Sequence, residues 1–434
     1  MSNSSNGSDL EKDAGFEKET GEVHLTRAQE DAIEALEPPF TEKDDDLEQS
    51  GAHSDGGSLT KVQSEKPSVN NIKSVPNGGL NAWLQVISSF FVFFNTWGII
   101  NAFGIYQTYY EDGLLRGTSP SSISWVGSIS AFLLMLVGTF AGPIYDMGYI
   151  RELMGVGSFL IVFGQMMLSL STKYWHVFLA QGVSLGIGTG CIFVSGVAIL
   201  STHFTTKLAT ATGIAATGSS LGGMLYPIIF YKLQPHIGFA WATRCLGFLA
   251  LGTLLIANIF LKIRVIPAHR RKFTDFPAWK ELPYLFFNLG SFFTFIGLYA
   301  PFFYVQSYVL AYDIMSESLS FYLLAILNAA STFGRLFPNI LADKLGPMNV
   351  IVPGAFMTGI LQFCLVSAHS AASVIAIIAL YGFFSGTLVS LPATIYVHLA
   401  GPTNRGKIGT RMGMGFAFVS IVSERLLIGI ENRC

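Results

Sequence analysis

The sequence predicts an all-α polytopic membrane protein made of two blocks of helices. Three observations lead there. Of 434 residues, 51% are hydrophobic and only 12% charged, against roughly a quarter charged in a soluble domain. Charge is also segregated: residues 1–75 hold 17 Asp/Glu against 7 Lys/Arg, leaving 11 acids and 19 bases in the other 359 residues. Those remaining charges cluster between apolar runs of roughly 20 residues, the length a membrane-spanning helix needs.

Taken in order, the chain opens with an acidic stretch, 1–79, rich in Ser, Glu, Asp, Gly and Lys. Such a composition buries too little apolar surface to repay the entropy of folding, so it reads as a disordered cytosolic tail. Its start, MSNSSNGSDLEKDAGF, has neither the basic nor the apolar region of a signal peptide, which leaves targeting to the first span. Asp44-Asp45-Asp46 reads as solvated charge rather than as a metal or partner site.

Apolar runs then fall near 82–106, 122–144, 153–172, 175–200, 209–230 and 240–261. A second set covers 283–306, 319–341, 348–368 and 371–397, and an eleventh run begins near Ile408. The expected organisation is a first six-helix block at 80–262, a basic linker at 263–282, and a second block at 283–434. After Val422 the sequence turns to Ser423-Glu-Arg425 and ends at Cys434, so the second block is expected to be incomplete. Twelve bases fall in loops on the side of the tail and four on the other, which places the N-terminus inside. The sequons at Asn3 and Asn6 would then escape glycosylation. Cys191, Cys245, Cys364 and Cys434 show no metal-ligand spacing and read as packing residues.

Arg335 is the first candidate for chemistry. It lies in the eighth run, some six residues from its inner end. An Arg at the centre of a span costs about 2.5–3.5 kcal/mol on insertion scales, so it needs a reason to be there. No acid occupies the middle of a complete span. A lone cation of this kind suits an arriving carboxylate, which Arg binds through two parallel hydrogen bonds. Asn328, Ser331, Thr332, Arg335 and Asn339 follow helical spacing and form one polar stripe. The plainer alternative is that Arg335 reaches the interface or bridges to Asp343. Asn95 and Asn101 in the first run, with Asn288, Ser291 and Tyr299 in the seventh, are further candidates; each amide also fits a purely interhelical hydrogen bond.

A repeat relates the two blocks. Gly142-Pro-Ile-Tyr-Asp146-Met-Gly148-Tyr-Ile-Arg151 ends the second run, and Gly334-Arg335 leads to Ala342-Asp343-Lys344-Leu345-Gly346 at the end of the eighth, with the two Asp 197 positions apart. Glycines at 182, 186, 190, 213, 218 and 222 have the small-xxx-small spacing of packed helices. Gly186-x-Gly188-x-Gly190 is not a nucleotide loop, because it lies inside a span. No Ser/His/Asp set or His/Cys cluster supports an enzyme, and nothing points to a cofactor, a metal or a nucleic acid. The expected surroundings are the lipid bilayer, and no oligomeric state is implied.

The Gly142-to-Arg151 segment resembles the signature loop of the major facilitator superfamily. More narrowly, the chain from about residue 76 to about 421 is similar to the fungal branch of the monocarboxylate porter family. The matching segments are Pro76-Asn-Gly-Gly-Leu-Asn-Ala-Trp83, Phe94-Asn95-Thr-Trp-Gly98, Ser171-Thr-Lys-Tyr-Trp175, Ala180-Gln-Gly182 and His203-Phe-Thr-Thr-Lys207 through Gly213, Gly218 and Gly223. The resemblance implies two six-helix bundles around a midplane cavity with alternating access. It implies a gating role for Gly142, Asp146, Gly148 and Arg151, with Asp343 at the equivalent place. It further implies transport of a small organic anion, a monocarboxylate or acidic metabolite, and in the fungal branch the export of a biosynthetic product. Proton-coupled uptake, a non-transporting sensor and an inactive truncated carrier stand as alternatives.

The sequence departs from the family at several places. Asn77 replaces the usual acid before Gly-Gly, and Phe178 replaces the Arg of drug/proton antiporters. Ile105 and Ser331 stand where animal carriers have a Lys and an Asp, so coupling through those groups is not supported. Plasma membrane is the default location.

Overall fold

A computed structural model describes residues 75–262, 264, 274–401, 404 and 407–418, all within one compact unit. The tail through residue 74, with Asn3, Asn6 and Asp44–Asp46, lies outside the described residues. So do residues 263 and 265–273 of the basic linker, Arg405 and residues 419–434, including Cys434.

Among the described residues every regular element is helical. The membrane-crossing candidates in chain order are α1 (Leu80–Tyr109), α2 (Pro120–Asp146), α3 (Ile150–Leu168) and α4 (Tyr174–Thr202). One continuous stretch, Leu208–Phe260, breaks at Gly238, where φ 75° and ψ 168° leave helical space, and supplies α5 (208–237) and α6 (239–260). The second block has α7 (Leu282–Leu298, resuming as Ala300–Ala311), α8 (Glu317–Leu345), α9 (Pro347–Val366), α10 (Ala371–Ala400) and α11 (408–418). Each complete apolar run of the sequence falls on one of these helices. The protein is thus an all-α, multi-pass integral membrane protein.

Burial follows the same logic. Phe248, Ile259, Phe333, Phe356 and Phe363 stand exposed on outer faces, where lipid tails replace water. Inside, small residues let backbones touch: a Cβ on Gly98 would stand 2.8 Å from the Gly222 Cα, so α1 and α5 pack nearly backbone to backbone.

Two helices are interrupted at mid-depth. In α1 the break is at Thr96, with φ −98° and ψ −85°. In α7 it is at Tyr299, because Pro301 two positions on has no N–H to continue the ladder. The carbonyls freed there do not go unpaired: Gln362 Nε2 donates to the Gly297 oxygen at 2.5 Å and Tyr381 Oη to that of Leu298 at 2.7 Å. Broken helices inside a bundle are tolerated only where protein or a cavity satisfies them.

Candidate functional site

The inward face of α8 carries the polar stripe. Leu327, Asn328, Ser331, Arg335 and Asn339 are buried, while Phe333, Phe337, Ile340 and Leu341 on the other face are exposed. Arg335 is 2% exposed. Its Nε donates to Ser331 Oγ at 3.2 Å, and its Nη1 donates to the Ala216 carbonyl at 2.8 Å and to Ser219 Oγ. Tyr299 lies near it. Every one of these partners is neutral, and Nη2 makes no hydrogen bond among the described residues. Asp275, Glu281, Lys407 and Arg411 form ion pairs with one another elsewhere. Arg335 therefore does not bridge to Asp343.

Around it four helices converge. The Asn328 amide donates to the Leu324 carbonyl at 2.9 Å, while its buried Oδ1 has no partner. A Cβ on Gly223 of α5 would stand 3.0 Å from that oxygen and 3.2 Å from the Asn101 Cβ, which brings α1, α5 and α8 together. Trp97, just past the α1 break, stacks on Tyr299 at the α7 break, with centroids 5.9 Å apart and planes at 9°. Phe193 meets Trp97 edge-on at 5.9 Å. The other two predicted residues are engaged within their own blocks. Asn95 donates to Thr253 Oγ1 and accepts from Tyr226 Oη, both at 2.8 Å. Asn288 donates to the Tyr284 carbonyl and accepts from Tyr396 Oη, both at 2.7 Å.

The ends of α2 and α8 form a second set. The Asp146 carboxylate accepts from the Gly409 N–H at 3.1 Å, and from the Thr410 N–H and Oγ1 at 2.7 Å. Asp343 accepts from the Ala209 N–H and the Thr210 N–H, both at 2.9 Å. Each Asp thus caps the first turn of a helix in the opposite block, α11 and α5, where free N–H groups and the helix dipole favour an anion. The capped residues are 200 positions apart, close to the 197 between the two Asp. Gly142 permits the approach: a Cβ there would enter the Gly409 backbone. Gly148, at φ 97°, turns the chain into α3 in a conformation that suits glycine. Arg151 is exposed at the start of α3.

The residue pattern of the Major Facilitator Superfamily model matches residues 85–423. The chain belongs to the Major Facilitator Superfamily. It is 51% identical over 345 residues to the MFS-type transporter dbaD of Emericella nidulans, covering 80% of this chain and 77% of that one. It is 38% identical over 349 residues to the aspyridones efflux protein apdF of the same organism, with 80% and 71% covered. To the agnestins efflux protein AgnL12 of Paecilomyces divaricatus it is 35% identical over 341 residues, with 78% of each covered. Among solved structures, the facilitator FucP in its outward conformation superposes with a TM-score of 0.59 over 81% of this chain and 91% of that one; at 14% identity this shows the fold alone. The chain is a facilitator-type transporter, and the relatives it matches are transporters rather than enzymes.

Sequence reasoning missed three groups in this transporter. Arg411 was expected among the loop bases; it is instead 2% exposed in the first turn of α11, ion-paired to Asp275 at 2.9 Å and to Glu281 at 2.7 Å. Its period relative to Lys407, one helical turn, was the available signal. Asn77, seen only as a departure from the family pattern, accepts three hydrogen bonds. Trp97 carried no polar signal at all.

Proposed function

We propose that this facilitator moves a small organic anion, a monocarboxylate or weakly acidic metabolite, by alternating access between its blocks 80–262 and 283–434. The single observation that carries the reading is Arg335: a buried guanidinium whose partners are all neutral, with Nη2 donating to no group among the described residues. A buried charge without a counter-ion is costly, and an arriving carboxylate is what offsets it. Tyr299, Asn328 and Asn101 lie at the same helix junction and would orient the rest of the substrate. Asn95 and Asn288 set the helices that carry them.

Gly142, Asp146, Gly148, Arg151 and Asp343 form the gate in this reading. Breaking the two Asp caps frees the ends of α5 and α11 and lets the blocks part on that side. The names of the efflux relatives support export of a biosynthetic product as the direction. The loop charges support a cytosolic N-terminus, and the plasma membrane is the membrane that export requires.

The test is a panel of radiolabelled organic acids in proteoliposomes, run on the wild type, Arg335→Gln and Arg335→Lys. Anion flux should be present in the wild type and at background in Arg335→Gln, with the variant still folded and inserted. Normal flux through Arg335→Gln would remove the assignment.

A further inference from the structure

The segments that precede the two blocks occupy equivalent places. Asn77 lies just before α1, and Asp275 lies before α7, 198 positions later. That spacing matches the repeat that relates Asp146 to Asp343. Each residue also holds the start of a later helix in its own block.

Asn77 Oδ1 accepts from the Thr205 N–H at 2.6 Å, the Thr205 Oγ1 at 2.7 Å and the Thr206 N–H at 3.0 Å. Its own N–H donates to the His203 carbonyl at 3.1 Å. Thr205 and Thr206 lead directly into α5, whose first turn is capped by Asp343 of the other block. Trp83 meets Phe204 edge-on at 5.4 Å and adds an apolar contact to the same clamp. On the other side, Asp275 accepts from Lys407 Nζ at 3.1 Å and from Arg411 Nε at 2.9 Å. Glu281 takes the remaining face of Arg411, at 2.7 and 3.0 Å. Lys407 and Arg411 flank Gly409 and Thr410, the residues capped by Asp146.

Each of these helix ends is therefore held from two directions. The opposite block holds the N–H groups of its first turn, and the pre-helix segment of its own block holds the residues beside them. We propose that Asn77 and the Asp275–Glu281–Arg411 set are positioning residues for the gate. They fix the ends of α5 and α11 where Asp343 and Asp146 can reach them. Without the clamp, an end that frays or shifts by an ångström or so loses a cap that depends on 2.7–3.1 Å hydrogen bonds. The proposal rests on the reading that the two Asp caps close this side of the carrier.

The N-side clamp offers a clean test, because Asn77 sits at φ 52°, in the left-handed region. Asn77→Gly keeps that conformation and removes the acceptor, whereas Asn77→Asp keeps the acceptor and tolerates the conformation. Spin labels at the exposed positions Tyr149 and Met348, one in each block, report their separation in the purified, otherwise cysteine-free full chain by pulsed electron resonance. The expected result is a wider distance distribution in Asn77→Gly and in Arg411→Gln, and the wild-type distribution in Asn77→Asp. A charge exchange, Asp275→Lys with Lys407→Asp, should lie closer to wild type than either single variant. Unchanged distances in Asn77→Gly and Arg411→Gln, while Asp146→Asn and Asp343→Asn widen them, would overturn the clamp and leave the gate standing. Unchanged distances in the two Asp variants would remove the gate itself.

Discussion

The two seams where the blocks meet, α2 against α11 and α5 against α8, occupy related places and share one device but differ in their chemistry. Both end in an Asp that caps a helix of the other block. Above the cap, the α2–α11 seam is built of glycine: a Cβ on Gly413 would stand 2.6 Å from the Gly138 carbonyl, and Thr139 Oγ1 donates to the Gly413 carbonyl at 3.2 Å. In the α5–α8 seam, Gly213 takes the place of Gly413, and Arg335 takes the place of Gly138, 197 positions on. The same location that holds no side chain in one block holds a buried cation in the other. In the proposed reading the shared Asp caps form the gate, and the one position that differs between the seams carries the chemistry.

The largest effect should come from erasing that difference. Arg335→Gln removes at least one charge-assisted hydrogen bond worth about 1.5–3 kcal/mol, so anion affinity should fall by at least roughly 10- to 150-fold. Direct binding of the best substrate in the panel checks this. A bulky side chain should break the glycine seam next: Gly142→Leu must displace the Gly409 backbone, whereas Gly104→Leu meets open space within 4 Å. Gly142→Leu should separate labels at Tyr149 and Met348 and stop flux, with Gly104→Leu near wild type.

Smaller effects sharpen the comparison of the caps. A carboxylate at a helix N-terminus contributes about 0.3–1 kcal/mol when exposed, and up to ~2 kcal/mol when partly buried. Asp146, at 5% exposure, is the more enclosed of the two, so Asp146→Asn should shift the open-to-closed ratio more than Asp343→Asn. Pulsed resonance on the same label pair measures the ratio.

Acidification should matter less still. Burial alone would raise the Asp275 carboxyl, but hydrogen bonds from Arg411 and Lys407 outweigh it and hold the group below the usual carboxylate range. A depressed folded value means its stabilisation is complete above about pH 4 and is lost only as pH falls further. The label distances should therefore stay constant from about pH 7.5 to 5.5. Opening within that window would show that another group governs the α11 clamp.

The smallest effect concerns the hydroxyls that pin the inner helices. Tyr226→Phe and Tyr396→Phe each remove one hydrogen bond, to Asn95 and Asn288 respectively. Intramembrane bonds of this kind average about 0.6 kcal/mol, with values up to ~1.7 kcal/mol. Thermal unfolding in detergent should show small and similar losses for the two variants.

Much of this was legible in the chain because the signals are local. Apolar runs, the gap between the runs 209–230 and 240–261, and the loop charges need only the neighbouring residues to be interpreted. Arg335 stood out for the same reason: a charge inside an apolar run is costly whatever surrounds it. Asp146 and Asp343 emerged from the repeat, yet their partners did not. A backbone N–H carries no sequence signature, so nothing in Gly409-Thr410 or Ala209-Thr210 announces that it will be capped.

The sequence by itself determined the all-helical membrane architecture, the near-200-residue repeat and the isolation of Arg335, since insertion energetics and periodicity act along the chain. Only the tertiary structure decided that the guanidinium has neutral partners, that Trp97 meets Tyr299 across the two blocks, and that Asn77 and Asp275 hold equivalent helix ends. Those facts depend on distances between residues up to some 200 positions apart in sequence. Such distances are set by how helices cross and how closely their glycines let them approach.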